Sequence, residues 1–205
     1  MATSTHSACG ISTAWQRFIA RWAAVLSAFG AVWLAASGAQ AQTPAWRWVA
    51  HSAAGTTAAV QQIAADAAGN GYVTGRFAGQ LQFGSFALQS AGDTDIYVAK
   101  VAAAGQWQWA VAAGGTGPDG AAGIVVAPDD TVTVAGVFSE TAHFGPQLRQ
   151  SQGAEDVFVA TLSPTGEWLA VATAGGPGPD HATALAQDQQ GNMFVGGHFR
   201  GKATF

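Results

Sequence analysis

Gly69-Asn70-Gly71-Tyr72-Val73-Thr74-Gly75-Arg76-Phe77 returns two steps of 61 residues later as Gly191-Asn192-Met193-Phe194-Val195-Gly196-Gly197-His198-Phe199. Gly136-Val137-Phe138 stands halfway between them, so Gly75, Gly136 and Gly197 and Phe77, Phe138 and Phe199 share one register. The same step carries Phe83 to Phe144 and Phe205, Asp95 to Asp156, Gly105 to Gly166, Trp46 to Trp107, and Trp107 to Trp168. It also takes Ala113-Gly114-Gly115 to Ala174-Gly175-Gly176. A fixed period of this length belongs to solenoids, propellers and arrays, whose units cannot bury their apolar faces alone.

Each unit reads as four strands. The first spans 60–65, 122–127 and 183–188 and is small and apolar, which predicts burial on both faces. Asp/Asn/Gly turns follow at 66–71, 128–130 and 188–192. The second strand spans 72–77, 133–138 and 194–199, and a short irregular stretch then holds Phe83-Gly84 or Phe144-Gly145. The third runs over 95–101 and 156–162, and is β-branched and aromatic. After a turn at Gly105 or Gly166, the fourth begins at Trp107 or Trp168. No helical apolar period persists beyond the leader, so the expected fold is all-β: propeller blades of four antiparallel strands in an incomplete ring.

The N-terminus reads as an export signal. Arg17 and Arg21 flank an uncharged apolar run over 22–36, and Ser37-Gly38-Ala39-Gln40-Ala41 ends in Ala-x-Ala, predicting cleavage after Ala41. Fifteen residues are short against the roughly 20 that span a bilayer, so no membrane span is expected after cleavage. The single cysteine, Cys9, lies ahead of that run, so the exported part contains no disulfide. It carries six Lys/Arg and all twelve acids, and this mild net negative charge argues against a nucleic-acid partner.

The order Gly-Asn-x-Tyr/Phe-Val-x-Gly-x-Phe, Phe-Gly, Gly-x-x-Asp-x-Tyr/Phe-Val-Ala, Gly-x-Trp and Ala-Gly-Gly-x-Gly-x-Asp resembles the bacterial SBBP-type β-propeller repeat from about Ala45 onward. The middle unit departs from it with Asp130-Thr131-Val132. The first departs with Gly55-Thr56-Thr57-Ala58, where later copies read Gly-x-Gly-Pro-Asp. The resemblance implies a secreted or cell-surface, non-enzymatic interaction scaffold without a cofactor. The expected organisation is a signal peptide over 1–41, an orphan outer strand over 42–56, blades over 57–117 and 118–178, and a partial blade over 179–205. Rings need roughly 4–8 blades. The chain therefore reads as the N-terminal part of a longer protein, with self-association of copies through exposed blade faces as the alternative.

Carboxylates are the first candidates for chemistry. Asp93, Asp95 and Asp156 are the calcium candidates, but no Asp-x-Asp-x-Asp-Gly loop exists, and Asp93-Thr94-Asp95 becomes Ala154-Glu155-Asp156 one unit on. Backbone capping is the favoured role for these and for Asp66, Asp119, Asp180 and Asp188. The pairs Trp46/Trp48 and Trp107/Trp109 each share a strand face. They either fill the wedge between blades or stack on a polysaccharide, which makes a carbohydrate-binding propeller the alternative function. His51, His143, His181 and His198 show no common ligand spacing, and no Gly-x-Ser-x-Gly elbow or phosphate loop occurs. An enzyme would need a site completed by further blades, with Asp66 and Asp188 facing a central channel. The expected partner is an unidentified protein or polysaccharide.

Overall fold

The computed structural model describes Ala53, Ala54 and residues 57–204. The leader, Trp46, Trp48, His51 and Phe205 lie outside the described residues. No described residue is helical. The thirteen strands are β1 (Ala53–Ala54), β2 (Ala58–Ala65), β3 (Gly71–Phe77), β4 (Gln80–Phe83), β5 (Phe86–Gln89), β6 (Asp95–Val101), β7 (Trp107–Gly115), β8 (Gly120–Val126), β9 (Val132–Phe144), β10 (Gln147–Leu162), β11 (Trp168–Ala174), β12 (His181–Gln187) and β13 (Met193–His198). Among the described residues no helix is long and apolar enough to cross a membrane.

Sequence-adjacent strands pair antiparallel. One series runs β2-β3-β6-β7 and the next β8-β9-β10-β11. A two-residue pairing of Gly114 and Gly115 with His143 and Ala142 joins them into one curled half-barrel sheet. β12 and β13 form a separate pair. The register is set by what each side chain must bury: Phe77 lies opposite Asp95, and Phe138 opposite Asp156. The first strand of each group is bulged at the same place, between Val60/Gln62, Ala121/Gly123 and Ala182/Ala184.

The stretch expected to be irregular is a hairpin. β4 and β5 pair from Gln80/Gln89 to Phe83/Phe86, and the same ladder runs from Thr141/Gln150 to Phe144/Gln147. It holds together because Phe83 and Phe144 turn into the core, each edge-on to a tryptophan: Phe83 with Trp107 at 4.7 Å, and Phe144 with Trp168 at 5.5 Å. Four alternating residues per arm are too short a pattern to stand out in the sequence.

The departure at Asp130 has a local cause. Gly69 and Gly191 take φ of +83° and +85°, and Asp130, at the matching turn position, takes +63°. Asp is among the few non-glycine residues that enter this left-handed region readily. The turn therefore survives without its glycine.

The main core lies between the two four-stranded groups. Tyr72, Ile96, Val98 and Trp109 of the first pack against Phe138, Phe144, Phe158 and Leu162 of the second. A second cluster, with Val73, Phe77, Leu81, Phe83 and Tyr97, covers the other face of the first group. Double-sided burial of the first strands holds best for β8, which contacts both β2 and β12. On β2, Val60 and Ile63 are 64% and 69% exposed. Small apolar composition thus marked strands that pack between neighbours without revealing which of them has a neighbour on each side.

Candidate functional site

The groups most concentrated for chemistry are the buried aspartates where one group of strands meets the next. Asp119 sits in the loop between β7 and β8. The Gly115 N–H donates to its Oδ2 at 2.8 Å, the Ser139 N–H from β9 donates to its Oδ1 at 3.0 Å, and its own N–H donates to the Thr94 carbonyl at 2.6 Å. Asp180 repeats each bond: Gly176 N–H to Oδ2 at 2.7 Å, Arg200 N–H to Oδ1 at 2.8 Å, and its own N–H to the Glu155 carbonyl at 2.7 Å. One carboxylate thus ties the end of a fourth strand to the end of the next second strand. Gly-x-Gly-Pro-Asp places it there by turning the chain sharply between the two.

Beside each clasp stands a second buried carboxylate. The Ala91 N–H donates to Asp95 Oδ2 at 2.8 Å and the Gln152 N–H to Asp156 Oδ2 at 2.9 Å, while both Oδ1 atoms are buried without a partner. A Cβ on Gly114 would stand 2.7 Å from Asp95 Oδ1 and 2.8 Å from Asp119 Oδ2, so the two carboxylates converge over that glycine. Burial, partly offset by the N–H bonds from Ser139 and Gly115 and reinforced by the charges of Asp95 and Glu140, pushes Asp119 up to about 7. Burial also raises Asp95 and Asp156.

The three calcium candidates are therefore not one site. Asp95 and Asp156 occupy matching buried positions in different four-stranded groups, and Asp93 is exposed. Among the described residues no three Asp, Glu, His or Cys side chains are grouped to hold a metal. Asp66 and Asp188 cap turns: each accepts from an asparagine backbone N–H and Nδ2, those of Asn70 and Asn192. At Asp66 burial acts upward, but the bonds from Asn70 and Tyr72 outweigh it and hold the carboxyl below its usual value.

The described tryptophans are engaged in packing. Trp109 and Trp168 are more than nine-tenths buried. Their indole N–H groups donate to the carbonyls of Pro164, at 2.9 Å, and Ala112, at 3.2 Å, across the sheet-to-sheet contact. A shallow hollow of about 270 Å³ beside Trp109 is lined by Lys100, Gln108, Pro164 and Thr165. A histidine cluster escaped the spacing argument. His181 Nε2 lies 2.8 Å from Glu155 Oε2, and its ring stacks on His198 at 4.8 Å. These two histidines are directly opposite on β12 and β13. Only the pairing register could have revealed that. An apolar hollow of about 240 Å³ lies next to them, between β10 and β13. Comparison with protein-family models and with curated proteins finds no match to this chain.

Proposed function

We propose that this chain is an exported bacterial β-propeller repeat protein of the SBBP type, and that it serves as a non-enzymatic interaction scaffold at or beyond the cell surface. In this reading β2-β3-β6-β7 and β8-β9-β10-β11 are blades, and β12-β13 is the inner half of another. The observation that carries it is the aspartate clasp. Asp119 and Asp180, one 61-residue step apart, make the same three hydrogen bonds from one group of strands to the next. Blade-to-blade linkage of this kind is what stacking of repeated sheets requires.

Three features support a scaffold over a catalyst or a sugar binder. The clasp carboxylates face backbone, away from solvent, where a substrate cannot reach them. Asp66 and Asp188, the expected channel residues, are committed to their turns. The indoles of Trp109 and Trp168 are buried with their N–H groups already used, so neither of these two offers a flat ring for a glycan to cover.

The test expresses the full chain in a bacterial host with fractionation and N-terminal sequencing, followed by tryptophan fluorescence against a polysaccharide panel. The expected product is extracytoplasmic, begins at Gln42, and shows no saturable quenching. Retention in the cytoplasm with the leader intact would overturn export. Saturable quenching by a polysaccharide would replace the protein-binding reading with the carbohydrate one.

A further inference from the structure

We propose that each junction between consecutive strand groups is closed by one shared proton. Asp95 and Asp119 hold it at the first junction and Asp156 and Asp180 at the second, and its release weakens the junction in alkaline surroundings. Four carboxylate oxygens meet at the first junction, and three are already served. Asp119 Oδ1 accepts the Ser139 N–H at 3.0 Å, Asp119 Oδ2 the Gly115 N–H at 2.8 Å, and Asp95 Oδ2 the Ala91 N–H at 2.8 Å. The fourth, Asp95 Oδ1, is buried and accepts nothing. Both residues are 2% exposed, so bulk solvent does not reach it.

The orphan oxygen faces Asp119. A Cβ on Gly114 would stand 2.7 Å from it and 2.8 Å from Asp119 Oδ2. Two ionised carboxylates converging there repel each other with no water between them, and a buried acceptor without a donor is costly in itself. One proton on Asp95 Oδ1, donated to Asp119 Oδ2, removes both penalties, and the two residues then titrate as a pair.

A step of 61 residues later the arrangement recurs. Asp180 Oδ1 accepts the Arg200 N–H, Asp180 Oδ2 the Gly176 N–H and Asp156 Oδ2 the Gln152 N–H, while Asp156 Oδ1 is again buried without a donor. The same oxygen is bare in both copies, so the feature belongs to the repeat. Gly114 and Gly175 permit the approach, since a Cβ at either would overlap the carboxylate. A metal ion is the competing occupant, and the donors argue against it. Three of the four oxygens at each pair point at N–H groups that a cation would have to displace.

The surroundings leave the pairs without a counter-charge. Among the described residues the ion pairs are Lys100 with Asp66 and His181 with Glu155. Around the first pair stand Glu140 and His143 on β9, Asp93 in the loop before β6 and Arg76 on β3, all exposed. Around the second stand Glu155 on β10, His181 on β12, His198 on β13, and Arg200 and Lys202 just beyond it. Glu140 acts on the first pair alone. It takes φ of +53° where the positions 61 residues before and after are Gly79 and Gly201, at +75° and +84°. Few side chains enter that region, and the charge placed there helps to raise Asp119.

Release sends each proton to solvent and takes a pair from one negative charge to two. The repulsion falls where the loop before β8 or β12 ties the fourth strand of one group to the second strand of the next. This device goes beyond the scaffold reading and acts whether or not the chain is exported, so the two fail separately.

The full chain, labelled with carbon-13 at its aspartate carboxyls, provides the test by NMR titration, with urea unfolding beside it. The Asp95 and Asp119 carbons should titrate together with a midpoint near 7, and Asp119 should return to the ordinary carboxylate range in Asp95→Asn. Glu140→Gln should lower the shared midpoint and leave the pair intact. Between about pH 5 and about pH 6.5 the unfolding constant should rise about tenfold per pH unit for each shared proton, because only the folded chain retains it. Asp95→Asn and Asp156→Asn should each reduce that rise by a factor of about ten, and the double variant by about a hundred. Ionisation of all four carboxyls in the ordinary range overturns the proposal. So does an Asp119 titration unmoved by Asp95→Asn, which would make burial alone the cause. A rise in melting temperature with calcium that Asp95→Asn abolishes also overturns it, because a metal would then sit where the proton is placed.

Discussion

Asp95→Asn should make this protein more stable at pH 8. The carboxylate has one satisfied oxygen, taking the Ala91 N–H, and one buried oxygen that takes nothing. Across Gly114 stands Asp119, held up to about 7 chiefly by burial. The unfolded chain releases that proton near 3.8, so between there and about 7 the folded protein binds more protons than the unfolded. The contribution is fully present below the unfolded value and is lost as pH rises through the folded one. The displacement corresponds to at most about 4 kcal/mol. Asparagine keeps an oxygen for Ala91 and places an N–H where the orphan oxygen stood, facing Asp119 Oδ2. It removes one buried charge and one unsatisfied acceptor, together about 2 kcal/mol at pH 8, or roughly 4–8 °C for a domain of this size. At pH 5 the pair already holds a proton, and the gain should shrink below about 0.5 kcal/mol. Calorimetric melts of parent and variant at both pH values read this directly. Destabilisation at pH 8, or an equal gain at both pH values, would refute the reasoning, because the orphan oxygen would then have a use that an amide cannot serve.

Further expectations follow from the same geometry. Asp119→Asn should do the opposite of Asp95→Asn, since both Asp119 oxygens accept N–H groups and one must be lost; urea titration at pH 5 should show a cost of about 1–3 kcal/mol. Phe138→Ala should cost about 3–5 kcal/mol by cavity formation, and Phe199→Ala much less, with chemical denaturation ranking the two. Asp130→Gly relieves a left-handed aspartate and should raise the unfolding free energy by up to about 1 kcal/mol, read as a higher denaturation midpoint. Val60→Ser with Ile63→Ser changes exposed positions on β2 and should leave melting unchanged while reducing any concentration-dependent association seen by sedimentation.

The strands were legible because their pattern is carried by residues that sheets favour. Asp95–Val101 was placed to the residue, and Gly71–Phe77 and Trp107–Gly115 to within a few positions. What the sequence withheld was pairing. The β4–β5 hairpin owes its existence to Phe83 and Phe144 reaching tryptophans on other strands, a contact that no local pattern announces. The carboxylate pairs were read as separate caps because Asp95 and Asp119 lie far apart along the chain and meet only where Gly114 lets them approach. His181 and His198 likewise meet only through the register of β12 and β13. The in-register glycines were visible as a repeat, but their reason, a bulge carbonyl on one side and an aromatic ring on the other, needed the packed sheet.

Amide hydrogen exchange tests most directly whether equivalent positions have equivalent neighbours wherever those neighbours exist. β3 and the matching part of β9, flanked by a strand on each side, should exchange slowly and at similar rates, while β13, flanked on one side among the described residues, should exchange orders of magnitude faster. Fast exchange over Val132–Phe138, or protection of Met193–His198 equal to that of Gly71–Phe77, would contradict the account.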